Sequence, residues 1–223
     1  MKIFGIDTTS KFLCIGVYDD GRVYEYNLEL GRQHSALVMV TVKRVLDALS
    51  WRSKDIDYFA CGSGPGSFTG VRIGMAAIKG LAWSLNKPVV NVSSLDILAG
   101  NAACEGVIVP VVDAKRNLIY CSIYRNKNNN LKRLAPYMLL PIGDFLKKIK
   151  PASIIFGDAL PLYKEEILKH IKGVSFLDKD YWRLRGSNII APALERIKQG
   201  RLNTAFDIKP IYLYPKECQI KGK

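Results

Sequence analysis

The chain has 223 residues, of which 48% are hydrophobic, and its formal net charge is +13. This length accommodates one large domain or two small ones, and the apolar content is sufficient for a globular core. No apolar run reaches the roughly 18 residues of a membrane span and no signal-peptide pattern is present, so we exclude membrane-spanning and secreted proteins and expect a cytoplasmic one. The excess of 33 basic over 20 acidic residues favours a polyanionic partner without naming it.

The first half of the chain predicts the element order βββαβαβα. The Asp20-Gly21 dipeptide between two apolar runs indicates a hairpin near the N-terminus. The expected strands are 2–7, 12–18, 22–29, 58–62 and 88–92, and the expected helices are 33–49, 69–85 and 94–103. This order is typical of a mixed sheet with helices on its faces.

The second half predicts a smaller α/β lobe. Its expected strands are 107–112, 118–124, 153–157 and 173–177, and its expected helices are 140–149, 160–171 and 187–199. The segment RNKNNN at 125–130 is expected to be an exposed turn. We therefore predict two domains, 1–104 and 105–223, with the last helix free to pack back on the first lobe. Both halves open with two strands joined by a tight turn, which suggests a duplicated unit.

Two polar segments are candidates for a phosphate site. The turn after the first strand carries a carboxylate and three hydroxyls, and the glycine-rich loop GSGPGSFTG precedes a helix, whose N-terminus favours anions. The candidate residues are Asp7, Thr8, Thr9, Ser10, Gly64, Gly66 and Ser67. The loop matches neither the Walker pattern nor GxGxxG. We therefore expect it mainly to set the path of the following helix, with Ser67 or Thr69 as its cap.

The two long helices of the first half predict a partner surface. Apolar residues surround much of the first helix, and the second helix carries small residues that admit a neighbouring helix. The alternative is a helix pair buried on both sides within one domain. The residues expected to bind a partner are His34, Leu37, Val38, Thr41, Val45, Gly70, Ile73, Gly74, Ala77 and Leu81.

Cysteine and histidine offer little for catalysis or metal binding. The five cysteines never form a CxxC pair and are expected to be reduced thiols; they are Cys14, Cys61, Cys104, Cys121 and Cys218. The two histidines, His34 and His170, cannot build an HExxH motif or a three-histidine site. We therefore expect no catalytic residue and no metal site. For His34 a capping or interface role is favoured, and for His170 a solvated position on a helix.

Four segments together resemble the TsaB (YeaZ) family of bacterial tRNA threonylcarbamoyladenosine biosynthesis proteins. They are FGIDTTSKFLCIGVYDDGRV, RQHSALVMVTVKRVL, YFACGSGPGSFTGVRIGMAAIKGLAWSLNKPVVNVSSLDILA and PVVDAKRNLIYCSIY. The resemblance is nearly continuous to about residue 124, and beyond that it rests on IFGDAL and IKPIYLYPKE. At Leu118 the family often has an acidic residue, so any role of that acid is not carried over, and Asp113 is retained without a known purpose.

The resemblance implies an α/β actin-like ATPase (ASKHA) fold of two ribonuclease-H-like lobes with mixed sheets, the second smaller and degenerate. It also implies a non-catalytic subunit for threonylcarbamoyl (t6A) modification of adenosine 37 in tRNAs that read ANN codons. The implied partners are the catalytic subunit TsaD, through a helical bundle, the ATPase TsaE, and tRNA through the complex, with a homodimer when the chain is isolated and no membrane. No cofactor is required, although weak ATP or ADP contact within the complex is compatible with the family.

Two other functions are compatible with the sequence. A stand-alone small-molecule kinase of the same fold needs a second phosphate loop, for which PVVDAKRN is a poor candidate because it lacks glycine. An RNA-binding module interleaves basic and aromatic residues, and only YWRLR, with Arg183 and Arg185, has that character. We reject peptidase activity, because no metal site or catalytic triad can be assembled.

Overall fold

The computed structural model describes residues 1–31, 33–128 and 130–215. The chain divides into two compact units. The first unit contains Met1–Ile97 and Leu184–Ile211, and the second contains Leu98–Arg183 and the described residues from Tyr212 onward. The segment after residue 183 therefore belongs to the first unit as far as Ile211.

The first unit is built on a five-stranded sheet with the order β3-β2-β1-β4-β5. The strands are β1 Lys2–Asp7, β2 Phe12–Asp19, β3 Arg22–Glu29, β4 Tyr58–Gly62 and β5 Val89–Val92. The helices are α1 His34–Ala48, α2 Phe68–Ser84 and α3 Ser94–Ala99. Strands β1 to β3 pair antiparallel, whereas β4 and β5 extend the sheet in parallel from β1. The predicted order βββαβαβα is confirmed.

The second unit contains the next seven strands and two helices. The strands are β6 Gly106–Lys115, β7 Leu118–Cys121, β8 Tyr124–Lys127, β9 Asn130–Arg133, β10 Met138–Pro141, β11 Ser153–Phe156 and β12 Ser175–Phe176. The helices are α4 Ile142–Lys148 and α5 Leu160–His170. The main path of the sheet has the order β10-β7-β6-β11-β12, and β8 pairs with β6 and β9.

The two sheets share one topology. Strands β6, β7 and β10 pair antiparallel as β1, β2 and β3 do, and β11 and β12 follow in parallel as β4 and β5 do. Helices α4 and α5 follow the third and fourth of these strands, as α1 and α2 do in the first unit. The chain is therefore a duplicated ribonuclease-H-like unit, and the predicted actin-like ATPase fold with mixed sheets is confirmed.

Two predictions for the second unit were wrong. Residues 125–130 are not a simple turn, because Tyr124–Lys127 and Asn130–Arg133 pair as an antiparallel hairpin. Asparagine and lysine have low strand propensity, yet Asn126 is buried and its amide donates to the carbonyls of Ala102 and Cys104 (3.1 and 3.2 Å). Residues 138–141, expected to lie partly in a helix, form β10 because they pair with β7.

The last helix, α6 Ser187–Lys198, covers one face of the first sheet. Successive side chains of a strand point to opposite faces. Phe4 and Ile6 belong to the core cluster that includes residues of α1 and α2, so Gly5 faces the other side, where a Cβ would lie 2.7 Å from Ile189 Cγ2. The first unit is therefore a sheet between α1 and α2 on one face and α6 on the other.

The described cysteines are free thiols. Cys14, Cys61 and Cys121 are buried in strands, and Cys104 is half-buried. Burial raises the pKa of the Cys14 and Cys61 thiols, and it raises the pKa of Cys121 to about 12. These three thiols are therefore inert core residues at neutral pH, while Cys218 lies outside the described residues.

Candidate functional site

The carboxylate of Asp7 is buried at the end of β1. Its Oδ1 accepts hydrogen bonds from the backbone N–H and the hydroxyl of Thr9, each at 2.7 Å, and its Oδ2 accepts one from Ser94 Oγ at 2.6 Å. Asp7 has no exposed surface. Burial raises the pKa of Asp7 above its usual 3.8, and the three hydrogen bonds oppose that shift. The group is thus arranged as a buried structural acid.

The glycines of the loop and of α2 allow close packing against the β1–β2 turn. A Cβ on Gly66 would lie 2.6 Å from the carbonyl oxygen of Thr9, and one on Gly70 would lie 2.0 Å from that of Thr8. A Cβ on Gly74 would lie 2.3 Å from Thr8 Oγ1. These positions therefore need glycine because a neighbouring segment of the same chain occupies the space.

Hydrogen bonds fix the start of α2 on that turn. The N–H of Ser67 donates to the carbonyl of Thr9 (2.7 Å), and Ser67 Oγ accepts from the N–H of Gly70 (3.2 Å), which confirms Ser67 as the N-cap. Thr8 Oγ1 donates to the carbonyl of Gly70 (2.6 Å). The polar groups expected to face a phosphate thus contact one another.

The actin-like ATPase fold implies a nucleotide, and the residues of this loop do not fit one. The backbone of Thr9 and of Thr8 already lies against Gly66 and Gly70 of the loop, and a magnesium ion would need the carboxylate of Asp7, which has no exposed surface. Ser10 contributes only a local turn contact, in which its Oγ accepts from the N–H of Phe12 at 3.1 Å. The geometry favours packing as the purpose of the loop.

Ser94 belongs to this contact, and the sequence did not lead us to expect it there. It follows β5, and its hydroxyl links Asp7 to the loop by donating to Asp7 and accepting from the N–H of Gly64 at 3.2 Å. The sequence contained a signal for this position of Ser94, because the carboxyl ends of neighbouring parallel strands meet at one edge of a sheet. Strands β1, β4 and β5 end there, so the first polar residues after β5 are brought to Asp7.

Most of the residues expected to bind a partner point into the first unit. His34, Val38, Thr41, Val45, Gly70 and Gly74 are buried. Leu37, Ile73, Ala77 and Leu81 are half-buried and pack against the core cluster. Gly70 and Gly74 therefore meet Thr8 of the same chain, because their side of α2 lies against the β1–β2 turn.

The exposed residues of α1 and α2 form a different surface, which we call the outer helix face. It consists of Ala36, Met39, Val40 and Lys43 of α1 and Arg72, Ala76, Gly80 and Trp83 of α2. Met39 is 46% exposed, Val40 is 45% exposed and Trp83 is 68% exposed. This face carries exposed apolar surface on residues that were not among those expected to bind a partner.

His34 does not have its expected capping role. It is the first residue of α1 and is buried, while the N-cap residue is Gln33, whose side chain makes no capping bond. An electrostatic interaction with His34 is the smallest of the effects that lower the pKa of Asp7. Its Nε2 has no hydrogen-bond partner among the residues that the structure describes.

In the second unit, Asp113 holds the β6–β7 turn. Its carboxylate accepts from the N–H of Lys115 at 2.8 Å and forms an ion pair with the Lys115 ammonium. Lys115, Arg116 and Asn117 all have positive φ, between 53° and 64°, which is uncommon for residues other than glycine. Asp113 thus has a structural purpose at a strained turn.

Two kinds of feature are absent from residues 1–31, 33–128 and 130–215. No helix there combines the length and the apolar character needed to cross a bilayer. No three side chains of His, Cys, Asp or Glu are grouped there as ligands of a metal ion. His34 lies in the first unit and His170 in the second, where its Nδ1 lies 2.8 Å from the carbonyl oxygen of Glu166.

Comparison with known proteins identifies the family of this chain. The family model TsaD, tRNA N6-adenosine threonylcarbamoyltransferase, matches residues 28–175. The tRNA threonylcarbamoyladenosine biosynthesis protein TsaB of Bacillus subtilis is 35% identical over 172 residues, which are 75% of this chain and 75% of that protein. TsaB of Buchnera aphidicola subsp. Schizaphis graminum is 30% identical over 171 residues, 74% of this chain and 81% of its own length.

A solved structure shares the fold. YeaZ from Pseudomonas aeruginosa matches with a TM-score of 0.82 at 23% identity, over 95% of this chain and 99% of that chain. The fold and the sequence identity point to the same family. The chain therefore belongs to the TsaB family, within the wider family that the TsaD model describes.

Proposed function

We propose that this chain is a non-catalytic subunit for t6A modification of adenosine 37 in tRNAs that read ANN codons. It acts as the dimerisation partner and scaffold of the catalytic subunit TsaD and of the ATPase TsaE, in the cytoplasm. The observation that carries the proposal is the relation to TsaB over three quarters of both proteins. The buried Asp7 supports a scaffold, because a carboxylate with no exposed surface is not accessible to a substrate.

The outer helix face is the proposed site of pairing with TsaD. Helices α1 and α2 pack side by side and belong to one core cluster, so their exposed residues face the same side. Met39, Val40 and Trp83 expose apolar surface there, and apolar surface on two adjacent helices suits a partner that contributes helices of its own. The same face accounts for a homodimer when the chain is isolated.

The glycine loop has an indirect role in this proposal. It fixes the direction of α2 through the contacts of Gly66, Gly70 and Gly74 with the β1–β2 turn. The chain requires no cofactor of its own, and ATP or ADP contact is confined to the assembled complex. A change in the loop would therefore impair pairing by displacing the helix that carries half of the outer helix face.

Reconstitution of t6A synthesis tests the proposal. TsaD, TsaE, the substrates and unmodified tRNA are combined with or without this chain, and formation of t6A is expected only when the chain is present. The chain alone is expected to form none. Modification at full rate without the chain would contradict the scaffold function.

Charge substitutions on the outer helix face test the pairing surface. Met39→Glu combined with Ala76→Glu is expected to abolish co-elution with TsaD, because two carboxylates would have to lose their water at the centre of the contact. Leu162→Glu combined with Leu168→Glu is the matched control, since these residues are 61% and 51% exposed on helix α5 of the second unit. Circular dichroism checks that both variants fold. Co-elution of the double variant with TsaD would refute this surface as the site.

A further inference from the structure

The second unit contains a hairpin that extends β7 and β10. Strand β8 pairs with β6 in the same register as β7 does, so β7 and β8 together correspond to β2, and β9 and β10 together correspond to β3. Lys127 and Asn130 pair across the turn, as Asp19 and Arg22 do in the first unit. We call Tyr124–Lys127 and Asn130–Arg133 the basic hairpin. The basic hairpin is therefore the tip of the second unit's counterpart of the β2–β3 hairpin.

The charge of the basic hairpin is all of one sign. Its cations Arg125, Lys127, Lys132 and Arg133 are exposed, and residues 122–137 contain no Asp or Glu. Arg125 is directly opposite Lys132 in the strand register. Like charges in directly opposed positions destabilise a strand pair. The opposed cations therefore lower the stability of the folded hairpin, and binding of a negatively charged partner would relieve their repulsion.

Three of these cations share one face. Cross-strand partners lie on the same face of a hairpin, and residues two apart on a strand do so as well. Arg125, Lys127 and Lys132 thus point to one side, the outer face of the hairpin. Within the described part of the chain, none of the three forms an ion pair. The nearby acid Glu105 is engaged at the turn, where its carboxylate accepts from the N–H of Asn128 at 3.2 Å.

The opposite face anchors the hairpin to the second sheet. Tyr124 and Asn126 are buried, and β8 pairs with β6 from Gly106 to Ile108. Arg133 lies over the ring of Tyr137, with 4.1 Å between the guanidinium carbon and the ring centroid. The outer face is therefore held in place by buried contacts, so a ligand would find its three cations already positioned on a fixed backbone.

We propose that the outer face of the basic hairpin binds the phosphate backbone of RNA, and that within the proposed function this RNA is tRNA. Lys and Arg side chains on a strand pair suit phosphate oxygens, which position a nucleic acid without reading its sequence. The contact would orient tRNA on the complex while base recognition occurs elsewhere. This inference rests on the proposed function for the identity of the RNA.

The test compares two triple variants of the full chain by fluorescence anisotropy with an unmodified tRNA transcript. The first is Arg125→Gln, Lys127→Gln and Lys132→Gln. The control is Lys150→Gln, Lys169→Gln and Lys172→Gln, which removes the same charge from exposed positions of the second unit. Affinity is measured across a salt series, for the chain alone and with TsaD. The hairpin variant is expected to bind tRNA at least about tenfold more weakly than the unmodified chain. The slope of log affinity against log salt concentration is expected to become shallower by about 2 to 3.

A second measurement separates a binding defect from misfolding. Removal of the opposed pair Arg125 and Lys132 is expected to leave the melting temperature unchanged or higher, because like-charge repulsion is relieved. Unchanged affinity and salt slope in the hairpin variant would overturn the inference, and so would an equal loss in the control. Binding to phosphatidylserine vesicles that exceeds binding to tRNA would also overturn it. Dependence of t6A synthesis on this chain is measured separately, so failure of the proposed function is distinguishable.

Discussion

Alanine substitutions along α2 distinguish packing within the chain from packing against a partner. At Gly70 a Cβ would lie 2.0 Å from the carbonyl oxygen of Thr8 and 3.1 Å from its carbonyl carbon, so backbone must move. Overpacking of this kind costs about 1 to 3 kcal/mol, and a backbone obstacle puts Gly70→Ala at the upper end. At Gly74 the obstacle is Thr8 Oγ1 at 2.3 Å. Because alanine favours helix by about 1 kcal/mol, Gly74→Ala is expected to lose only about 0 to 2 kcal/mol.

Gly80 supplies the matched control on the same helix. A Cβ there meets no atom within 4 Å, so Gly80→Ala is expected to stabilise the chain by about 0.5 to 1 kcal/mol. The assay is urea unfolding followed by circular dichroism and by tryptophan fluorescence, in which Trp51 reports on the core of the first unit. For a chain of this size each kcal/mol shifts the melting temperature by about 2 to 4 °C.

Each variant is also mixed with TsaD and analysed by gel filtration. Gly70→Ala is expected to lower stability before it affects pairing, since its clash is internal. A Gly70→Ala protein as stable as the wild type that no longer pairs with TsaD would refute the reasoning. The glycine would then serve a partner helix, as the sequence alone suggested, and not the contact with Thr8.

Three further predictions concern Asp7, the loop and α6. Burial raises the folded-state pKa of Asp7 above its usual 3.8. At a pH between the unfolded-state and folded-state pKa, the folded chain binds more protons than the unfolded chain. The free energy of unfolding should therefore fall as pH rises from about 4 through the folded-state pKa. Asp7→Asn should lack this fall, and parallel pH dependences of urea midpoints for wild type and variant would contradict the assignment. Isothermal titration calorimetry of ATP with the chain alone should show no micromolar binding, because the backbone of Thr8 and Thr9 packs against the glycines of the loop. Micromolar binding would show that the loop is a phosphate site. Gly186→Ala should destabilise the first unit by about 1 to 3 kcal/mol, because its Cβ would lie 1.9 Å from the carbonyl oxygen of Ile15. Gly143→Ala is the control, since a Cβ there meets no atom within 4 Å. Equal melting temperatures for the two variants would contradict this prediction.

The sequence determined the elements whose signals are local. Asp20-Gly21 specified the first hairpin, Ser67 and Thr69 indicated the start of α2, and the apolar run of β1 specified a buried strand. These features depend on residues within a few positions of each other, so propensity, capping and turn chemistry are enough to predict them. The family was equally accessible, because its motifs are continuous segments of chain.

Only the tertiary structure decided which neighbour each surface meets. Strands β9 and β10 form because β8 and β7 pair with them, and the close contact of Gly16 with Gly186 brings the start of α6 to the first sheet. The small residues of α2 were visible in the sequence, but the sequence pattern does not show which segment packs against each of them. Gly70 and Gly74 could face a partner or their own chain, and the position of Thr8, more than 60 residues earlier, decides that they face their own chain.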